Sequence, residues 1–167
     1  MSDNTAEPLR IRDATPHDAP TIIAFNRRLA TETENKTLDH DVVSLGVRRA
    51  LDSPQYCRYF LAERDGRIVG QTMVTYEWSD WRNGVFWWIQ SVYVVEDERG
   101  RGVFRSLYEH VQTTARALPD VCGLRLYVEE HNTAAIATYR RLGMIPSGHL
   151  VYEHDWSGAT GAPDRQH

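Results

Sequence analysis

The run from Val85 to Val95 constrains this chain more than any other stretch: Val-Phe-Trp-Trp-Ile-Gln-Ser-Val-Tyr-Val-Val. Apolar residues fall at both parities, so neither face of a strand built here can be left to water. Such a strand belongs at the centre of a sheet with a covering layer on each side. It leads into the charged segment Glu96 to Arg101 and then into a helix. In that helix Val103, Leu107 and Val111 fall at i, i+4 and i+8, with Phe104 and Tyr108 beside them.

The other elements follow from local signals. Leu9 to Arg12 alternates like a short strand. Thr15-Pro16-His17-Asp18 reads as a helix start, with Thr15 as cap, Pro16 at the first position and Asp18 in the first turn. Ile22, Ile23, Phe25, Asn26 and Leu29 continue that helix. A second helix starts after the Asp39 cap, with Val42, Val43, Leu45, Val47 and Leu51 available for its inner face. Tyr59 to Glu63 and Ile68 to Tyr76 flank the turn Arg64-Asp65-Gly66-Arg67, a hairpin signature. Ser79 to Gly84 is a second turn. Leu124 to Val128 is a strand, Ala134 to Leu142 a helix stopped by Gly143, and Leu150 to Tyr152 a final strand. The order is β-α-α-β-β-β-α-β-α-β. That order predicts a single α/β (α+β) domain over 9–156, with a mixed, mostly antiparallel sheet flanked by helices. Residues 1–8 read as a flexible leader and 157–167 as a flexible tail.

Composition narrows the function classes. The chain has 167 residues, 41% of them hydrophobic, and a formal net charge of −4. This gives no electrostatic footprint for nucleic acid or an anionic membrane. No apolar run is long enough to span a bilayer. The cysteines, Cys57 and Cys122, lie too far apart in sequence for a metal-type pair. They suggest no disulfide framework either, so a reduced, cytoplasmic setting is expected. The seven histidines show no ligand spacing, so no metal is implied.

The chemistry concentrates in Ser91 to Arg105, a strand, a basic glycine loop and a helix. Glycines let the backbone approach a ligand closely. The free N–H groups and dipole of the helix start favour an anion, and Arg99, Arg101 and Arg105 add positive charge. The alternative is a capped helix with charged neighbours. There is no Gly-x-x-x-x-Gly-Lys-Ser/Thr loop, and Arg105 stands where a dinucleotide fingerprint needs its third glycine.

Arg99-x-x-Gly102-x-Phe104 resembles the Gln/Arg-x-x-Gly-x-Gly/Ala signature of the GCN5-related N-acetyltransferase (GNAT) superfamily. Leu126-Tyr127-Val128-Glu129-x-x-Asn132-x-x-Ala135-x-x-x-Tyr139-x-x-x-Gly143-Met144 resembles that family's second block. Phe104 departs from the usual Gly or Ala. The resemblance, over roughly 9–156, implies a GNAT-like domain with a splayed pair of parallel strands, ending at Val95 and Val128. It implies acetyl-CoA as co-substrate and direct transfer to a primary amine on a small molecule or peptide. The pyrophosphate would lie on backbone N–H groups of Arg99, Gly100, Arg101, Gly102, Val103, Phe104 and Arg105. The pantetheine arm would pair with the strand at Val92, Tyr93 and Val94. Asn132 would hydrogen-bond that arm, and Tyr139, about two helical turns on, would protonate the leaving thiolate. A core aromatic is the plainer reading of Tyr139.

A carboxylate could take the amine's proton. Glu32 and Glu34 lie in the segment that overhangs the acceptor in this family, although any one of them could be a solvated surface acid. Gln90, where some members carry a glutamate base, cannot serve. Glu77, Trp78, Asp80 and Trp81 form a second candidate group, an aromatic and acidic acceptor wall. Core packing plus a turn is its alternative reading. Two other functions compete with acetyl transfer: a non-catalytic CoA-binding or regulatory module, and transfer from a different acyl-CoA. A strand near 147–156 could pair two subunits into a homodimer.

Overall fold

The computed structural model describes residues 8–157. The leader, apart from Pro8, and the tail, apart from Ser157, lie outside the described residues. The chain divides into two compact units, Met1–Tyr127 and Val128–His167.

The first unit is a five-stranded sheet in the order β1-β2-β3-β4-β5. The strands are β1 Arg10–Asp13, β2 Cys57–Arg64, β3 Arg67–Ser79, β4 Gly84–Val94 and β5 Val121–Leu126. The first four are antiparallel neighbours, while β5 runs parallel to β4. The hairpin between β2 and β3 turns on Asp65 and Gly66, both at positive φ, as an Asp-Gly pair favours.

Helices α1 (Ala19–Glu34) and α2 (His40–Leu51) cover one face. There Ala19, Ile22, Ile23, Val47, Tyr59 and Leu61 form a buried cluster, with Met73 packed against it. Helix α3 (Val103–Arg116) covers the other face. Its Leu107 and Val111 are fully buried, and its His110 meets the Phe60 ring edge-on at 5.2 Å. The contact is close: a Cβ on Gly70 of β3 would come within 2.9 Å of Val103 and 3.4 Å of Leu107.

The expected elements of this unit form, with two adjustments. Val42 and Leu45 of α2 are 70% and 63% exposed, not turned inward. At 3.6 residues per turn, Val43, Val47, Ala50 and Leu51 share the inner face, and the other two fall outside it. Asp39 caps α2 as expected, accepting from the N–H groups of Asp41 and Val42 at 2.9 Å each. The start at Thr15 is built around Asp18 instead of a continuous helix. Pro16–Asp18 is a 3-10 turn, and the Asp18 carboxylate accepts from the Thr15 N–H at 2.7 Å and from Arg12 at 2.9 Å twice.

The second unit holds α4 (Thr133–Arg141), ended by Gly143 at φ 85°. Leu150–Tyr152 is not a strand, which corrects the expectation. A strand persists only with a ladder partner, and within its own unit this exposed segment has none among the described residues.

Asp18 is 8% exposed, and its bonds to Arg12 hold its pKa down at about 2. The folded-state pKa is depressed, so the stabilisation is present above the usual aspartate range and lost as pH falls through about 2. Asp18→Asn is expected to lower the unfolding free energy by about 2 kcal/mol at pH 7. In urea titrations the gap between the two proteins should close between about pH 4 and pH 2.

Candidate functional site

Beyond Ile89 the strand β4 loses one neighbour. Its parallel pairing with β5 runs from Val85↔Val121 to Ile89↔Leu126 and stops, while β4 continues to Val94 beside β3. One backbone edge of Gln90 to Val94 is thereby released from the β5 ladder. This is the parting of two parallel strands expected from the sequence, although it begins at Leu126 and not at Val128.

The chain leaves β4 through a 3-10 turn, Glu96–Glu98, and enters α3 at the Gly102 cap. Gly100 and Gly102 sit at φ 74° and 83°, the left-handed region that only glycine enters freely. A Cβ on either would meet nothing within 4 Å, so the space above both is open to a ligand. The first bond into the helix is Ser106 N–H to the Gly102 carbonyl at 3.0 Å. The amides of Gly102, Val103 and Arg105 therefore have no partner within the helix. Those of Arg99 and Arg101 are already committed, to the carbonyls of Glu96 at 3.2 Å and Glu98 at 3.4 Å. An anion held here would therefore meet amides from Gly102 onward and not across the whole of 99 to 105.

The arginines of this cradle are all paired. Arg105 donates to Glu109 at 3.0 Å on the exposed face of α3. Arg101 donates to Glu98 at 3.0 Å. Glu98 is 6% exposed and also lies 3.5 Å from Arg64 of β2, so a buried carboxylate anchors the loop to the sheet. Phe104 packs against Tyr108 one turn further along α3, with ring centroids 6.3 Å apart.

Arg99 has a different partner. Its guanidinium donates to the Val94 carbonyl at 2.9 Å and to Glu32, near the end of α1, at 2.5 Å. The other oxygen of Glu32 accepts from the Tyr93 hydroxyl at 3.0 Å. Arg99, and then the Tyr93 hydrogen bond, hold the Glu32 carboxyl below its ordinary range. Both oxygens of Glu32 are thus engaged, and the carboxylate ties Arg99 to α1. Burial, and then Glu32, push the Tyr93 phenol up. Glu34 is exposed and pairs with Lys36 at 2.6 Å.

The expected acceptor wall divides in two. Side chains alternate along β3, so Glu77 faces the α1–α2 side and Trp78 the α3 side. Trp87 goes with Trp78: its ring meets Tyr76 edge-on at 5.7 Å. Trp81, at the hairpin tip, is 90% exposed, and the Asp80 carboxylate accepts the Trp81 N–H at 2.9 Å. Glu77 belongs to a cluster that the sequence reading missed. Its carboxylate accepts from the Trp88 indole N–H and from Arg125 at 2.8 Å. Those bonds, Trp88 first, depress its pKa. Arg125 lies over the Phe86 ring at 3.8 Å, and Tyr127 stacks on Trp88 at 4.3 Å. The period-2 alternation of Gly123, Arg125 and Tyr127 against Cys122, Leu124 and Leu126 was the signal for that face. The match of Arg125 to Trp88 depends on the parallel register.

In the second unit Asn132 caps α4, its side-chain oxygen accepting from the Ala135 N–H at 3.0 Å. Tyr139 lies on the same helix, and burial raises its pKa. Among the described residues no group of three His, Cys, Asp or Glu is placed to hold a metal ion. Nor is any helix there long and apolar enough to cross a membrane.

The family model for the acetyltransferase (GNAT) family matches residues 23–144. A possible acetyltransferase from Clostridium difficile 630 is similar at 42% identity and a TM-score of 0.83, over 89% of this chain and 98% of that one. A ribosomal-protein-alanine N-acetyltransferase from Brucella melitensis biovar Abortus 2308 has the same fold, with a TM-score of 0.72 at 14% identity. That match covers 89% of this chain and 99% of the other. A predicted acetyltransferase with acetyl-CoA from Clostridium acetobutylicum gives 0.73 at 13% identity, over 88% and 96% of the two chains. Among curated proteins none matches.

Two substitutions test the cradle. Gly102→Glu is expected to weaken CoA binding by about 100-fold, because a side chain strains the cap and a carboxylate opposes the helix dipole; calorimetry checks it. Glu32→Gln should raise the KM for acyl-CoA by about threefold to tenfold with little change in kcat, as for a lost uniform binding contact. A kcat collapse at unchanged KM would assign Glu32 to proton transfer after all.

Proposed function

We propose that this chain, which belongs to the acetyltransferase (GNAT) family, moves the acetyl group of acetyl-CoA directly to a primary amine. The observation that carries this reading is the cradle. Three helix-start amides and two left-handed glycines with open space above them lie at the end of a strand released on one edge. That donor set suits a pyrophosphate, and a free strand edge suits an amide-bearing arm. Acetyl-CoA would supply the activated acyl group, and Gly102 to Arg105 would hold its diphosphate. Val92 and Val94 would pair with the arm, and the Val92 N–H would meet the negative charge that develops on the thioester oxygen.

Tyr139 is the proposed proton donor to the departing thiolate. Its raised pKa keeps the phenol protonated at neutral pH. Asn132, at the start of the same helix, is the proposed second contact to the arm. The acceptor would approach along the face of Glu77, Trp88, Arg125 and Tyr127. Glu32 and Glu77 both have depressed pKa values and engaged oxygens. In this reading the amine would lose its proton to water before attack. A cytoplasmic location agrees with the sequence reading, in which the two cysteines form no disulfide framework.

Calorimetric titration with acetyl-CoA, beside dephospho-CoA and NAD, tests the donor. Micromolar binding of acetyl-CoA, followed by amine-dependent thiol release, is expected. Binding without release on any amine would favour a non-catalytic CoA module. Tyr139→Phe should lower kcat by about 100-fold or more with CoA affinity nearly unchanged. The rate should climb with pH toward the acceptor amine's own pKa, with no break in the carboxylate range.

A further inference from the structure

The bend in β4 beside the proposed reaction centre is held by buried side chains. In the β3–β4 register Gln71 faces Tyr93 and Met73 faces Gln90. Thr72 alone therefore faces both Ser91 and Val92, which is a β-bulge. Ser91 takes the strain, at φ 49°. Two side chains of β3 then serve carbonyls at the bulge. Thr72 Oγ1 donates to the Gln90 carbonyl at 3.3 Å, and Gln71 Nε2 donates to the Ser91 carbonyl at 3.1 Å. The same Nε2 donates to Asn26 Oδ1 of α1 at 2.7 Å, and Asn26 Nδ2 donates to the Tyr59 hydroxyl at 3.3 Å.

Gln71 is 0% exposed, and its Oε1 has no hydrogen-bond partner among the described residues. A buried, unsatisfied acceptor costs stability that an apolar side chain of the same size would not. What the amide supplies and an apolar side chain cannot is a pair of donors, one to α1 and one to the bulge.

The Ser91 carbonyl and the Val92 N–H belong to one planar trans peptide and point in opposite directions. Fixing the carbonyl therefore fixes the N–H. A hydrogen bond accepted at the carbonyl also polarises the peptide and strengthens its N–H as a donor. We propose that Gln71, braced by Asn26, is a positioning residue that aims and polarises the Val92 N–H at the thioester oxygen. The inference rests on the acetyl-transfer reading given above.

The test compares Gln71→Met, Asn26→Ala and the double variant with the wild-type chain. Gln71→Met should lower kcat by about 30-fold, less than the loss of a direct oxyanion donor. The KM for acetyl-CoA and the affinity for CoA should stay within about threefold. Asn26→Ala should lower kcat by about fivefold, and the double variant should be no slower than Gln71→Met, because Asn26 acts through Gln71. In spectra of the CoA-free proteins the Val92 amide 15N resonance should move while those of Val74 and Ile89 stay. Unchanged kcat in a folded Gln71→Met, additive losses in the double variant, or a loss seen only in melting temperature would overturn the proposal. If Gln71→Met does not fold, Asn26→Ala decides, and unchanged kcat with an unmoved Val92 resonance overturns it. If the wild-type protein releases no thiol with any amine, the acetyl-transfer reading fails. The Val92 resonance then decides the positioning by itself, and its failure to move overturns it.

Discussion

β4 is paired on both sides as far as Ile89 and on one side beyond it, and everything else of functional interest follows from that change. While paired, the strand lies inside the sheet between β3 and β5, covered by α1 on one face and by α3 on the other. Once one edge is released, its backbone groups there need partners of another kind. The bulge at Ser91 and the glycine loop after Val94 both lie in the released part. A strand that must be rigid beneath and open at one edge needs support from its remaining neighbour. β3 supplies it through Gln71 and Thr72, two of the few polar side chains that this unit buries.

Charge in the site is organised in pairs. Arg99 meets Glu32, Arg101 meets Glu98, Arg105 meets Glu109, and Arg125 meets Glu77. In the proposed reading, attraction for an anion would therefore depend less on loose positive charge than on fixed backbone dipoles at the start of α3. Such dipoles are already oriented and need little reorganisation when a ligand arrives. The Glu98 carboxylate is the buried one, and its contacts with Arg101 and Arg64 fix the shape of the loop. The Glu32 pair is about half exposed and contributes little to stability, since water screens it. Its value lies in connecting α1 to the cradle.

The stretch expected to form an acceptor wall shows how far period-2 reasoning reaches. Tyr76 to Trp81 reads as one aromatic and acidic patch in the linear sequence. In a strand, neighbouring residues lie on opposite faces, so Glu77 and Trp78 cannot line the same wall. The cluster that does form draws on three strands. Phe86, Trp88, Arg125 and Tyr127 join Glu77 through contacts that only sheet registration creates.

The sequence by itself determined the element order of the first unit, the central strand, the glycine loop and the family. These depend on local periodicity, on backbone conformations that only glycine enters freely, and on a motif contiguous in the chain. Tertiary structure decided the rest. Gln71 meets Ser91 and Asn26 across gaps of 20 and 45 residues, and Glu32 meets Arg99 across 67. No local pattern encodes such meetings. They arise when register and helix packing bring distant polar groups into one dry space, where each must find a partner or bear the cost of lacking one. Hence Glu32, readable in the sequence only as a candidate base, became the anchor of an arginine. Gln71, unremarked in the sequence, became the residue that holds the Ser91 carbonyl at the bulge.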